Sequence, residues 1–444
     1  MSGGEGRPAA RVAVVDGGRV ALVRDEEGAL RLPEVPGWNG QAWRYRGDLA
    51  VARSAGHPLP AALDVPLTHL TPLDGGGEDR APVALAEPLE GAVQAEAWWS
   101  LGDDPPAGVS AGALRALRAA FDRAPSWPPF TLPGATGMIA ALAASEPTLA
   151  GRFGAHEGAM TQEQAWALSS VWRDDEVVLK LTNPAWPAEA AITRLLASLA
   201  PTRVPAVLAA GALRMGGGEP VPFLVQRRVV EPPDAYEAEP EVRHERSLGA
   251  LAALAEVQLA CEDHLDELVA AGVEDRRPGR TADELAGLWE AVRPRLADEK
   301  AALLPELDER VRATLARLDR EPAVLVHGDP HLGNVLADEE GRPQLIDWTD
   351  AALAWPGVDL FVLLPRRSAG DGRREALLSA YADALGARHE AGVRLGTQVA
   401  PTYHALSYLR IGRFLPPELA GDFMGAVTKY VERQLEVSGL VAEA

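Results

Sequence analysis

The chain has 444 residues, 47% hydrophobic and 24% charged, the balance of a globular protein with more than one compact unit. Its net charge of −21 and the lack of a basic cluster exclude a phosphate-backbone partner, so no nucleic acid is expected. No apolar run spans a bilayer, residues 1–15 carry no sustained apolar stretch after their arginines, and the single cysteine, Cys261, cannot form an internal disulfide. The expectation is a cytoplasmic protein without a membrane segment; the oligomeric state is left open.

Residues 8 to about 100 alternate apolar runs with turns, beginning with two strands around Asp16-Gly17-Gly18, a natural hairpin turn. Residues 108–124 switch to helical spacing, with Leu114, Leu117 and Phe121 on one stripe. The stretch 125–136 is proline-rich and reads as a stiff connector, so a strand-rich domain is predicted over 1–124 and a boundary at 125–136. Strands resume over 137–230, including a hairpin around Asp174-Asp175 and the run Val177-Val178-Leu179-Lys180-Leu181. Pro187 suits the first turn of a helix that continues through AEAAITRLLASLA. From 231 to 444 the pattern is mainly helical. The predicted class is therefore α+β, a β-rich lobe over 137–230 followed by a mainly helical lobe.

The exception within the helical half is residues 323–348. Val324, Leu325 and Val326 form a short buried strand ending at His327, and Gly328 and Pro330 place His327, Asp329 and His331 in a loop. Two apolar pairs then flank the turn residues DEEGRP. A turn centred on Glu340-Gly341 would set Asn334 opposite Asp347, bringing an amide oxygen and a carboxylate beside the loop that bears Asp329. Magnesium takes such hard oxygen ligands and keeps several waters.

The motif His327-Gly328-Asp329-Pro330-His331-x-x-Asn334, with Ile346-Asp347-Trp348 and the later Gly357-Val358-Asp359-Leu360, resembles the aminoglycoside phosphotransferase and choline kinase superfamily. The resemblance covers roughly residues 137–430 and implies a bilobal, protein-kinase-like fold using ATP and Mg2+, with its catalytic loop at 327–334. It implies Asp329 as the catalytic base for a substrate hydroxyl and Asn334 and Asp347 as magnesium ligands. His327, His331 and Asp359 would be supporting residues. Lys180, with Glu189 nine residues on, resembles the kinase pair of strand lysine and helix glutamate; the bland alternatives are an edge-strand lysine and an acid favoured in a first helical turn. Glu189, Ile192, Leu196 and Leu199 share a helical stripe, so the acid should face inward. No glycine-rich phosphate loop is present. Gly158-Ala159-Met160-Thr161-Gln162-Glu163 stands where a small polar loop would, with Thr161 a candidate phosphate donor, and residues 224–228, with Gln226, fall at the expected adenine hinge.

Three readings compete with a small-molecule kinase. A zinc hydrolase would use His327, Asp329 and His331 as ligands but leaves Asn334, Asp347 and Lys180 unexplained. An inactive kinase scaffold would sense nucleotide. A protein kinase lacks support, since the A-P-E element is missing. Gln258 stands where many relatives carry a histidine, which indicates a divergent branch. The acceptor would be a hydroxyl-bearing small molecule such as an amino sugar, aminoglycoside, sugar or amino alcohol, and an acidic surface would suit a cationic one. Residues 1–124 faintly resemble the first strands of a Nudix fold without its metal-binding box, which implies a silent domain; a strand-rich cap is the alternative.

Overall fold

The computed structural model describes residues 168–213, 220–230, 239–365, 372–415 and 417–442, with 10–16, 19–24, 27–32, 34–35, 71–73, 83–86, 97–100, 102–107, 109, 114, 141–153 and 160–165 upstream. The proposed connector at 125–136 and nearly all of the helix expected over 108–124 lie outside them. Two compact units are formed, one from residues 1–187 with 209–228 and the other from 188–208 with 229–444.

The first unit holds two sheets. Strands β1 (Ala10–Asp16), β2 (Arg19–Arg24), β3 (Leu30–Arg31), β4 (Glu34–Val35), β5 (Thr71–Leu73), β6 (Val83–Ala86) and β7 (Ala97–Ser100) make a mixed sheet. In it β1 pairs antiparallel with β2, Asp16 opposite Arg19 as the hairpin chemistry requires, and parallel with β6. Val20, Ala21, Leu22, Leu32 and Trp99 are buried.

The second sheet comprises β8 (Thr161–Ala165), β9 (Ser169–Arg173), β10 (Val177–Thr182), β11 (Val207–Leu213) and β12 (Val221–Arg227) in the order β11-β12-β10-β9-β8. The β9–β10 hairpin turns at Asp174, whose Oδ1 accepts the backbone N–H groups of Glu176 and Val177, both at 2.8 Å. Arg152 also donates to Asp174. Period-two alternation sends Val177, Leu179 and Leu181 of β10 and Val221, Phe223 and Val225 of β12 into one apolar cluster with Trp172. Lys180 and Gln226 are therefore on the opposite face.

The second unit begins with α1 (Glu189–Leu199), continues through the long α2 (Pro240–Cys261), α3 (Leu265–Ala270), α4 (Pro278–Val292) and α5 (Leu304–Leu318), and ends with α6 (Val358–Leu363), α7 (Arg373–Leu385), α8 (Glu390–Gly396), α9 (Ala400–Phe414) and α10 (Pro417–Val437). Between α5 and α6 lie the short strands of the signature. Strand β14 (Val324–Val326) pairs antiparallel with β17 (Ala352–Ala354), which pairs parallel with β13 (Glu274–Asp275). Leu325 and Leu353 enter one core, whereas Val324, Val326, Ala352 and Ala354 enter a second. A sheet with both faces covered needs uninterrupted apolar residues, which is what VLV and ALA supply. No helix of the described residues is long and apolar enough to cross a membrane.

Candidate functional site

The chain leaves the buried end of β14 directly into His327, which is fully buried. Asp359, equally buried in the first turn of α6, accepts the backbone N–H of His327 with one carboxylate oxygen and that of Gly328 with the other, both at 2.8 Å. One carboxylate thus satisfies two consecutive buried amides and fixes the path into Asp329. Burial pushes the Asp359 carboxyl up to about 7, opposed by these two N–H donors. Gln258 on α2 supports the arrangement: its Nε2 donates to the Leu325 carbonyl at 2.9 Å and to Asp359 at 3.4 Å, and its Oε1 accepts from the Tyr381 hydroxyl at 2.7 Å. Gln258 was readable only as a departure from the histidine many relatives carry, and Tyr381 not at all, because both act from helices distant in sequence from the loop.

Gly328 has φ +91°, and a Cβ there would lie 2.4 Å from the Asp350 carbonyl oxygen, so only glycine fits. His327 donates from Nε2 to the Ile346 carbonyl at 2.8 Å, while its Nδ1 accepts the Asp329 N–H at 3.4 Å; its ring packs on Trp348 with centroids 4.5 Å apart. Burial holds the imidazole neutral, with its pKa lowered to about 4. With both nitrogens engaged, His327 braces the loop and offers nothing to zinc, which removes the first ligand of the zinc-hydrolase alternative.

Asp329 is the opposite case, with 43% of its side chain exposed and its Oδ2 3.7 Å from His331 Nε2. Its carboxyl is raised to about 7, first by desolvation and then by the charge of Asp347. His331 caps the one-turn helix Leu332–Asn334 by accepting the Gly333 N–H at 3.1 Å through Nδ1, and burial lowers its pKa. Asn334 donates from Nδ2 to the Asp329 carbonyl at 2.9 Å, which ties it to the loop and turns its side-chain oxygen the other way.

The β15 (Val335–Ala337) and β16 (Pro343–Leu345) hairpin corrects the expected register by one residue. Val335 faces Leu345, and Ile346 donates to the Asn334 carbonyl, so Asn334 lies opposite Ile346 rather than Asp347. The cause is the turn. Asp338 Oδ1 accepts the N–H groups of Glu340 and Arg342, and Gly341 takes φ +77°, closing a three-residue loop centred on Glu340. Asp347 adopts φ 64°, and among the described residues it is the one non-glycine with positive φ. This left-handed step breaks the strand alternation immediately after Ile346. Thr349 then donates to Asp347 Oδ1 at 2.6 Å and orients the carboxylate. An amide oxygen and a carboxylate beside an aspartate fit a magnesium ion, which would take its remaining ligands from water and phosphate. No group of three or more His, Cys, Asp or Glu side chains that could hold a metal occurs among the described residues.

In the same unit, Glu189 opens α1 with only 2% exposure, and Ile192 and Leu196 are buried with it, as its stripe predicts. In the first unit, Lys180 lies on β10, between Val171 of β9 and Leu224 of β12. This central position rules out the edge-strand reading of the lysine. Gln226 pairs with Val178 two residues away, and Thr161 pairs with Arg173, which itself faces Val178. The upstream candidates thus occupy adjacent rows of one sheet. Residues 158 and 159, the start of the proposed phosphate loop, lie outside the described residues.

A feature the sequence did not announce is a stack of rings beside the loop. Phe361 of α6 stacks on His404 at 6.0 Å, His404 on Tyr430 at 5.3 Å, and Tyr430 on Tyr408 at 5.5 Å. The phenols of Tyr408 and Tyr430 are both raised, chiefly by burial; Tyr430, Asp329 and Asp350 add to the effect on Tyr408, and the charge of Asp329 adds to that on Tyr430.

The chain belongs to the phosphotransferase enzyme family, whose model matches residues 162–395. Among solved structures it is similar to the GDP complex of aminoglycoside 2'-phosphotransferase-IIIa, at 16% identity over 67% of this chain and 98% of that one, with a TM-score of 0.45. It is also similar to a choline/ethanolamine kinase family protein from Mesorhizobium loti, at 20% identity over 68% and 93%, TM-score 0.44. A macrolide 2'-phosphotransferase from Brachybacterium faecium matches at 22% identity over 66% and 96%, TM-score 0.41. No curated protein sequence matches the chain.

Proposed function

We propose that the protein transfers the γ-phosphate of ATP to a hydroxyl of a small molecule, with Asp329 orienting that hydroxyl and taking its proton. The acceptor oxygen bonds to the γ-phosphorus, the bond to the β–γ bridging oxygen breaks, and its electron pair leaves with ADP. The observation carrying this reading is the contrast between two aspartates. Asp359 is buried and committed to two backbone amides, whereas 43% of the Asp329 side chain is exposed, where an incoming hydroxyl can reach it. Asn334 and Asp347 would hold magnesium, which supplies charge neutralisation for the phosphates. Lys180 would meet the phosphates and Glu189 would support the phosphate side. The acceptor would lie against the edges of Tyr408 and Tyr430, where the charges of Asp329 and Asp350 favour an alcohol carrying a cationic group.

The test is ADP release from ATP and magnesium across amino sugars, aminoglycosides, sugars and amino alcohols. Release stimulated by at least one acceptor, with the phosphate recovered on its oxygen, supports the proposal. ATP binding without release for any acceptor would favour a nucleotide-sensing scaffold instead.

A further inference from the structure

Gln258, in the last turn of α2, is 1% exposed, and Asp359 of α6 and Tyr381 of α7 are fully buried beside it. Its Nε2 links the strand and the helix that frame the loop, donating to the Leu325 carbonyl of β14 at 2.9 Å and to Asp359 Oδ2 at 3.4 Å. Oδ2 is also the oxygen that accepts the His327 N–H, while Oδ1 accepts that of Gly328. The Tyr381 hydroxyl, 2.7 Å from Gln258 Oε1, sets the direction of the amide. Burial and the charge of Asp359 hold the phenol proton in place, so Tyr381 always donates. A flipped amide would turn Oε1 onto the Leu325 carbonyl and the Asp359 carboxylate, setting three acceptors face to face. Packing alone would be served by an apolar residue, without the cost of burying a carboxamide.

We infer that Gln258, oriented by Tyr381, is a positioning residue for phosphate transfer: it gives the Asp359 carboxylate the third donor that keeps it bound to the loop amides while Asp329 carries its own charge. This rests on the phosphotransferase reading above. Asp359 is the vulnerable member of the chain. Burial and the charge of Asp329 disfavour its ionised form, and the N–H groups of His327 and Gly328 favour it. Among the described residues, the other titratable groups around it are His327, neutral by burial, and Tyr381 and Tyr403, whose phenols burial keeps protonated. A protonated Asp359 gives up an acceptor for one loop amide and loosens the path into Asp329. Loss of the Gln258 donor raises the pH at which Asp359 ionises, so the loop should fail first on the acid side.

The pH profile of kcat for phosphate transfer tests this on the full chain, with ATP, magnesium and the best acceptor, in wild type, Gln258→Met and Tyr381→Phe. Gln258→Met should lower kcat up to about tenfold at neutral pH and move its acid limb upward by about one pH unit, the effect of losing one hydrogen bond to a charged group. Both KM values should stay within about twofold, and the loss should be recovered at alkaline pH. Tyr381→Phe, which keeps the ring and frees the amide to turn, should move the limb in the same direction by less. A merely structural glutamine would lower kcat by the same factor at every pH. Should Gln258→Met fail to fold, Tyr381→Phe decides. Acid limbs that superimpose on that of wild type overturn the inference and leave the phosphotransferase reading standing. No transfer by wild type to any acceptor overturns both.

Discussion

Asp359, Gly328 and His404 show how single residues set the loop at 327–334 and the helix that holds it. Because Asp359 takes both amides of the loop, Gly328 must pass under the Asp350 carbonyl with a positive φ. Gly328→Ala should therefore lower stability by about 2–3 kcal/mol and abolish most activity. Thermal unfolding checks this, and a melting temperature equal to wild type would contradict it. His404 is buried between Phe361 and Tyr430, donates to the Val358 carbonyl at 3.3 Å, and has its pKa depressed to about 4 by burial. A depressed histidine favours the fold above its unfolded pKa of about 6.5, and that contribution is lost as pH falls toward 4. The stability of wild type relative to His404→Phe should fall by on the order of 3 kcal/mol between pH 7 and pH 4, read by denaturant titration. Asp359 titrates in the same range but is common to both proteins, so the difference isolates His404. A pH-independent difference would rule out a buried neutral imidazole.

At the scale of elements, the β15–β16 hairpin decides where the side chains of Asn334 and Asp347 stand. It is anchored on both flanks: Val230 and Ala337 exchange backbone hydrogen bonds, and the Leu345 N–H donates to the Arg203 carbonyl at 2.7 Å. Asp338→Ala removes the acceptor for two turn amides and the partner of Arg342. It should cost about 1–2 kcal/mol and raise the magnesium concentration needed for half-maximal activity several-fold. An unchanged magnesium dependence would mean that the turn does not position Asn334 and Asp347. The sequence made the hairpin legible through its apolar pairs and DEEGRP, but not its exact register. Whether Gly341 ends a two-residue or a three-residue loop depends on the Asp338 side chain, and residue type alone does not state that. The inward face of Glu189 was legible because helical periodicity needs no tertiary knowledge. The Tyr381–Gln258–Asp359 chain was not, because Gln258 lies more than 100 residues of sequence from both of its partners.

For the whole molecule, sequence order already gave a strand-rich half followed by a helical half, because period-two and period-3.6 patterns separate cleanly there. What stayed hidden was the ring stack, assembled from α6, α9 and α10, whose aromatics look like ordinary core residues one helix at a time. If Tyr430 lines the acceptor side, Tyr430→Leu should raise the acceptor KM tenfold or more while the ATP KM stays within twofold. Equal changes in both would assign Tyr430 to packing alone.

The central claim is that Asp329 performs the proton chemistry of phosphate transfer. Transfer of labelled γ-phosphate from ATP to the best acceptor, compared between wild type and Asp329→Asn, tests it most directly, with nucleotide affinity measured on the same samples. In the variant kcat should fall at least roughly a hundredfold, with ATP still bound. Transfer at the wild-type rate by Asp329→Asn would contradict it.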